Sequence, residues 1–141
     1  MSQHDIDVAR GAIARFAAGD LDGLADLYSA DALIIGPEGW PDGGRFDGRE
    51  AAMRQYKRVQ EEWESQSMHV ERQRSHADWV VLDLAWDAEG RASGVTVEMH
   101  IVGAFRVREG KIAEARFFWE FDDALAAAGL PEQSDRLPGG N

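Results

Sequence analysis

The chain has no cysteine, which excludes disulfides, thiolate nucleophiles and thiolate metal ligands. It is also short of basic residues. Lys and Arg number 15 against 26 Asp and Glu, a formal charge of −11, and such a surface repels phosphate backbones and anionic lipid headgroups. Neither nucleic acid nor a membrane is therefore an expected partner. No apolar run approaches the roughly 18 residues that a membrane-spanning helix needs. The start, MSQHDIDVARG, lacks the basic cluster and apolar stretch of a secretion signal, so a cytoplasmic location is expected. The glycines of EGWPDGGRFDG (38–48) keep neither the G-x-G-x-x-G nor the P-loop spacing, G-x-S-x-G is missing, and no serine is placed as an obvious nucleophile. His4, His69 and His76 hold no metal-ligand spacing with one another or with acids. Neither a metal nor another cofactor is expected.

What is present is the composition of one folded unit: 141 residues, 44% hydrophobic, with five Trp and only four Pro. A single domain over 1–130 and a solvated tail over 131–141 are expected. Ser2 and Asp5 suit the start of a helix with Ile6, Ala9, Ile13 and Phe16 on one face, ending near Gly19. Asp20 suits the cap of a second helix, LDGLADLYS, with Leu21, Leu24, Leu27 and Tyr28 on one side. ALIIGP reads as a short buried strand stopped by Pro37, and an irregular loop follows through Phe46. Asp47 and Glu50 form a box-like start for a third helix, in which Met53, Tyr56, Val59 or Gln60, and Trp63 recur at helical spacing. From Ser67 the period drops to two, giving strands near 67–76, 79–88, 94–108 and 111–121. Their turns fall at Ala77-Asp78, Glu89-Gly90 and Glu109-Gly110, and a short helix, DDALAAAGL, closes the pattern.

Alternation sorts these strands into two faces. In 94–108, Val95, Val97, Met99, Ile101, Gly103, Phe105 and Val107 share one side, and Thr96, Glu98, His100 and Arg106 the other. Ala115, Phe117 and Trp119 alternate with Arg116, Phe118 and Glu120, and Leu82, Leu84 and Trp86 with Asp83 and Asp87. Three preceding helices cover only the apolar side. The mixed side then needs a cover of its own, and a symmetric homodimer through Glu98, His100, Arg116, Phe118 and Glu120 is expected.

GDLDGLADLYSADALIIGP, FDGREAAMRQY and VGAFRVREGKIAEARFFWEFDDALAAAGL, in that order over about 8–130, resemble the SnoaL-like group of the nuclear transport factor 2-like (ketosteroid isomerase-like) superfamily. The resemblance implies a cone-shaped α+β barrel, a curved mixed or antiparallel sheet wrapped around three N-terminal helices. It also implies an apolar pocket at the wide end, and usually a homodimer. By the same resemblance, the steroid isomerases' base falls at Gly36 and their oxyanion donors near Ala12 and Gly103, while the epoxide hydrolases' aspartate falls at Phe117. None of the four is titratable. Close analogues of either enzyme are rejected, because proton transfer needs a titratable group within reach of the reacting atom.

The remaining candidates are few. Tyr28 and Tyr56 either donate to a ligand carbonyl or pack as core tyrosines with their hydroxyls at the rim. Glu38 is a candidate base or a solvated loop acid. It shares its loop with Trp40 and Asp42 at the implied pocket mouth. Trp86, Met99, Ile101, Phe105, Phe117 and Trp119 either line a pocket for a flat hydrophobic molecule or fill the core. His100 beside Glu98 has the look of an acid–base unit, but parity turns both to the outer face, and only a β-bulge between Met99 and Gly103 brings His100 inward. Two functions stay open. One is a cofactor-independent cyclase, isomerase or lyase acting on a small hydrophobic, cyclic or carbonyl-bearing metabolite, and the other is a non-catalytic ligand-binding or dimerisation module. A buried, perturbed carboxyl or histidine in the pocket favours the first, and an apolar lining with one or two hydroxyls favours the second.

Overall fold

The structure is a computed structural model, and it describes residues 3–39 and 44–130. Ser2, Trp40, Asp42 and the expected tail lie outside the described residues. The elements run α1 (Gln3–Ala18), α2 (Leu21–Asp26), β1 (Tyr28–Ile35), β2 (Arg45–Asp47), α3 (Arg49–Glu61), β3 (Trp63–His76), β4 (Trp79–Gly90), β5 (Thr96–Arg108), β6 (Lys111–Phe118) and α4 (Phe121–Ala127). One six-stranded sheet has the order β2-β1-β6-β5-β4-β3. All its pairs are antiparallel except β1 with β6, which is parallel. Of the two expected arrangements, mixed or antiparallel, the sheet is the mixed one. Among the described residues no helix is long and apolar enough to cross a membrane.

Helix α1 buries Val8, Ala9, Ala12, Ile13 and Phe16, a single stripe that packs against the inner face of β3 to β6. Asp20 caps α2 as expected, its carboxylate accepting from the Gly23 amide at 2.9 Å. The second helix stops at Asp26, not Ser29. The reason is strand pairing: the Leu27 carbonyl accepts from the Ile112 amide at 2.8 Å, and Tyr28 sits opposite Ile112 on β6. Tyr28 is thus the first residue of β1 and not a helical one. The loop expected through Phe46 ends earlier, in the short strand β2, whose Asp47 lies opposite Leu33.

That pairing also undoes the expected capping box. Gly48, with φ of 93°, occupies the N-cap of α3 without a side-chain hydrogen bond, while Asp47 accepts from Arg45 at 3.2 Å. Trp63 opens β3 instead of closing α3. Ala77 and Glu109, both with φ of 54°, make the expected turns. Between β4 and β5 the ladder runs on through Glu89 opposite Thr96, so the reversal falls beyond Gly90 and Val95 stands exposed instead of facing the core.

The larger correction concerns the outer face. Helix α4 packs Phe121, Ala124, Leu125 and Ala128 onto Val81, Val102 and Ala104, with Trp79, Phe118 and Leu130 at the edge. Part of the cover expected from a partner subunit is supplied by the chain's own last helix. The two buried carboxylates among the described residues also belong to this face. Glu114 is held by Arg106 at 3.1 Å and Arg116 at 2.5 Å, and Asp83 by Arg72 at 2.8 Å. Each acid is charge-paired, which is the condition under which a carboxylate tolerates burial.

On the inner face, Gly103 lets two aromatic rings close over it. A Cβ there would stand 2.6 Å and 2.9 Å from Phe105 and 3.3 Å from Phe117. Phe105 is fully buried and has no room to retreat. Gly103→Ala is therefore expected to destabilise the fold by about 1–3 kcal/mol in urea unfolding. Combined with Phe105→Leu it should cost less than the sum of the two single changes, and strict additivity would show that the steric account is wrong.

Candidate functional site

Between the helices and the inner face of the sheet lies a cavity of about 80 Å³. Helix α1 contributes Ala12, Ile13 and Phe16, α2 contributes Leu24, and β1 with the residues after it contributes Tyr28, Ile34, Gly36 and Pro37. The far wall is Phe46, Met68, Leu84, Trp86, Ile101, Phe105 and Phe117, and α3 supplies Gln55, Tyr56 and Val59. The rings meet edge to face. Tyr56 stands at 5.6 Å from Phe16 and 6.4 Å from Phe117, and Phe105 at 5.9 Å from Phe117. Such pairs prefer this geometry, and it fixes the wall.

The polar content of the wall is concentrated on α3 and the start of β1. The hydroxyls of Tyr28 and Tyr56 lie 2.8 Å apart and share one hydrogen bond. Two O–H groups with one shared bond leave one proton to donate elsewhere. Burial pushes the Tyr28 phenol well above its ordinary value, an effect the hydrogen bond with Tyr56 partly opposes. Burial also raises Tyr56, and the neighbouring Tyr28 raises it further, through its charge and through their hydrogen bond. Both are neutral donors at physiological pH.

The other candidates separate cleanly. Trp86, Ile101, Phe105 and Phe117 line the cavity, whereas Met99 packs against the core without lining it. Trp119 lies beyond the end of β6, 41% exposed, with its indole N–H donating to the Glu38 carbonyl at 2.8 Å, so the alternation with Phe117 ends there. Glu38 is exposed. His100 faces outward in an unbroken register with β4, and its Nδ1 lies 3.6 Å from Glu71 on the adjacent part of that face. The bulge that would turn it inward is absent from that register. Trp40 lies outside the described residues. Among the described residues no three or more His, Asp or Glu cluster in a way that could hold a metal ion.

Gln55 is the site residue that the sequence pattern does not single out. The inner stripe of α3 is Ala52, Gln55, Tyr56 and Val59, at i, i+3, i+4 and i+7, while the stripe expected from the sequence starts from Met53 and extends to Trp63. A polar residue at the i+3 position of a helical stripe was the available signal.

A model of the SnoaL-like domain matches residues 9–115. The chain belongs to the SnoaL-like domain family. Nothing among curated protein sequences matches this SnoaL-like chain significantly. Solved structures match its fold at low identity. A hypothetical protein with a ketosteroid isomerase-like fold from Catenulispora acidiphila, in complex with trimethylamine, has a TM-score of 0.71 at 17% identity, over 94% of this chain and 98% of that one. The protein TerC, co-crystallised with polyporic acid, has a TM-score of 0.74 at 18% identity, over 89% and 98%. A putative SnoaL-like polyketide cyclase from Jannaschia has a TM-score of 0.74 at 17% identity, over 93% and 97%. In this SnoaL-like domain Ala12, Gly36 and Phe117 border the cavity, and Gly103 lies directly behind its Phe105 and Phe117. The four positions marked by the family resemblance therefore surround the site and bring it no titratable group.

Tyr28 and Tyr56 are the only tyrosines in the chain, so tyrosinate absorbance reads this pair alone. Their folded-state pKa values are raised, so the stability gained from keeping them neutral is full below the unfolded phenol value of about 10 and is lost as pH climbs through the folded values. The signal is expected to stay flat to about pH 10.5 and then to rise in one step with loss of far-ultraviolet circular dichroism. Ionisation of either phenol near pH 10 with the fold intact would contradict the buried pair.

Proposed function

We propose that this SnoaL-like domain holds a small, neutral, hydrophobic molecule bearing a hydrogen-bond acceptor such as a carbonyl, and that it does so without transferring a proton. The observation that carries this reading is the inventory of the cavity: aromatic and aliphatic walls, two hydroxyls and one amide, and, among the described residues, no carboxylate or imidazole. General acid–base chemistry needs a group whose pKa lies near the working pH. The two buried acids are on the opposite face, each neutralised by arginine. The spare proton of the Tyr28–Tyr56 pair orients the ligand oxygen, and Trp86, Ile101, Phe105 and Phe117 enclose its apolar body.

Size narrows the ligand. About 80 Å³ is roughly half of the cavity that admits benzene in an engineered apolar core, about 150 Å³. A single ring enters by displacing the half-buried side chains of Met68 or Phe117. A second reading, a cofactor-independent isomerase, cyclase or lyase, draws support from the same tyrosine pair, because a donor that polarises a carbonyl also lowers the cost of enolisation. The fold's relatives in complex with trimethylamine and co-crystallised with polyporic acid support ligand holding in general, and the putative polyketide cyclase supports the catalytic alternative.

For a protein partner, we infer a second copy of the chain seated on the outer face that α4 leaves uncovered, where His100, Trp119 and Glu120 line an open groove, with Glu98 on β5 and Arg116 on β6 as further contacts. Sedimentation equilibrium is expected to return twice the 15.6 kDa chain mass, and a monomer at micromolar concentration would overturn this arrangement.

Acetophenone and ethylbenzene test the ligand reading, since they differ in the acceptor alone. Acetophenone is expected to bind saturably and to weaken about 2- to 12-fold in Tyr56→Phe, while ethylbenzene binds less well and is indifferent to that change. Deuterium exchange at the acetophenone methyl group should run at its uncatalysed rate in the presence of protein. Accelerated exchange would favour the enzyme, and binding of neither compound would remove the proposal.

A further inference from the structure

The cavity holds a polar atom that the tyrosine pair does not explain. Gln55 is 8% exposed, and its Oε1 is buried with no hydrogen-bond partner. Neither tyrosine hydroxyl bonds to it, although the Tyr pair has a proton to give. A buried acceptor without a donor lowers stability, and an apolar residue of the same shape would relieve that penalty. The position lies on the inner stripe of α3 between Ala52 and Val59, where an aliphatic side chain would pack without loss. The other buried unpartnered side-chain atom among the described residues, Trp63 Nε1, belongs to a residue on a separate, open groove and has no part in this site.

Resting on the ligand-holding reading above, we infer that the ligand carries a hydrogen-bond donor as well as an acceptor, the donor going to Gln55 Oε1 and the acceptor receiving the spare phenolic proton of the Tyr28–Tyr56 pair. The class is that of neutral hydroxyketones, enols and lactams on a compact apolar frame. Simple ketones and ethers lack the donor. Carboxylates lack it too, and they also place negative charge against a carbonyl oxygen. In the empty cavity only water can meet Gln55. A ligand without a donor expels that water and leaves the acceptor bare, so the site discriminates by penalising the wrong ligand.

Two matched pairs of probes, titrated calorimetrically at pH 6 where all four are neutral, decide the matter: 4-hydroxyacetophenone against acetophenone, and 2-pyridone against N-methyl-2-pyridone. In the wild-type protein the donor-bearing member of at least one pair is expected to bind about tenfold tighter or more. In Gln55→Met that preference should fall to about twofold or less, with acetophenone affinity kept or improved, and the melting temperature of the unliganded variant should rise by about 3 °C or more. Equal affinities within both pairs in the wild type would overturn the inference, whether or not the variant folds. So would a preference that survives Gln55→Met. If acetophenone binds and responds to Tyr56→Phe while the added donor gains nothing, this inference fails alone. If none of the four probes binds, the ligand-holding reading fails with it.

Discussion

Residues 101–105 of β5 are buried without a break, and that two-sided burial is the constraint from which the rest of the molecule follows. A strand with one wet face alternates, and a strand dry on both faces does not. Ile101 and Phe105 belong to the core under α1, while Val102 and Ala104 belong to the smaller core under α4. Because α4 covers Val81, Val102 and Ala104 on one side, the sheet can curve over α1, α2 and α3 on the other with the middle of β4 and β5 dry on both faces. The inner side is then free to be imperfectly filled. The cavity survives where the wall residues are small, at Ala12 and Gly36, and where the rings over Gly103 pack against each other edge to face and leave the centre of the space unfilled.

Much of this was legible in the sequence, for physical reasons that can be traced to particular residues. The inner stripe of α1 and the Asp20 cap were readable because each depends on contacts within a few residues. The faces of β4, β5 and β6 followed from strict alternation. What escaped were features decided by distant pairing. Tyr28 belongs to a strand because Ile112 lies across from it, Asp47 fails as a cap because Leu33 holds it in β2, and Trp119 leaves the inner face because β6 ends at Phe118. The run from Asp122 to Leu130 was recognisable as a helix. Its place on the outer face was written instead in Val102 and Ala104, two apolar residues in the otherwise polar even series of β5.

The site was half legible. Tyr28 and Tyr56 stand out on helical periodicity, yet their hydrogen bond depends on Tyr28 standing at the head of β1, opposite α3. Gln55 escaped because a glutamine flanked by Arg54, Lys57 and Arg58 reads as solvent-facing. Its burial comes from the packing of α3 against β1 and β2, which no local pattern encodes.

The charge balance of the cavity sets what it can accept. The chain as a whole is strongly acidic and draws cations toward its surface. An apolar enclosure selects on a different basis, because an ion that enters surrenders its hydration, and the cost is several kcal/mol even after relaxation. A ring face returns about 2 kcal/mol or somewhat more to a desolvated cation, which offsets only part of that cost. Here the rings turn edges as well as faces to one another, and no carboxylate among the described residues lines the wall to complete the compensation. An anion fares no better, since one phenolic proton is a small return for its lost hydration. On the proposed ligand-holding reading, the acidic surface governs encounter, and the interior, whose tyrosine hydroxyls stay uncharged across the physiological range, selects neutral molecules.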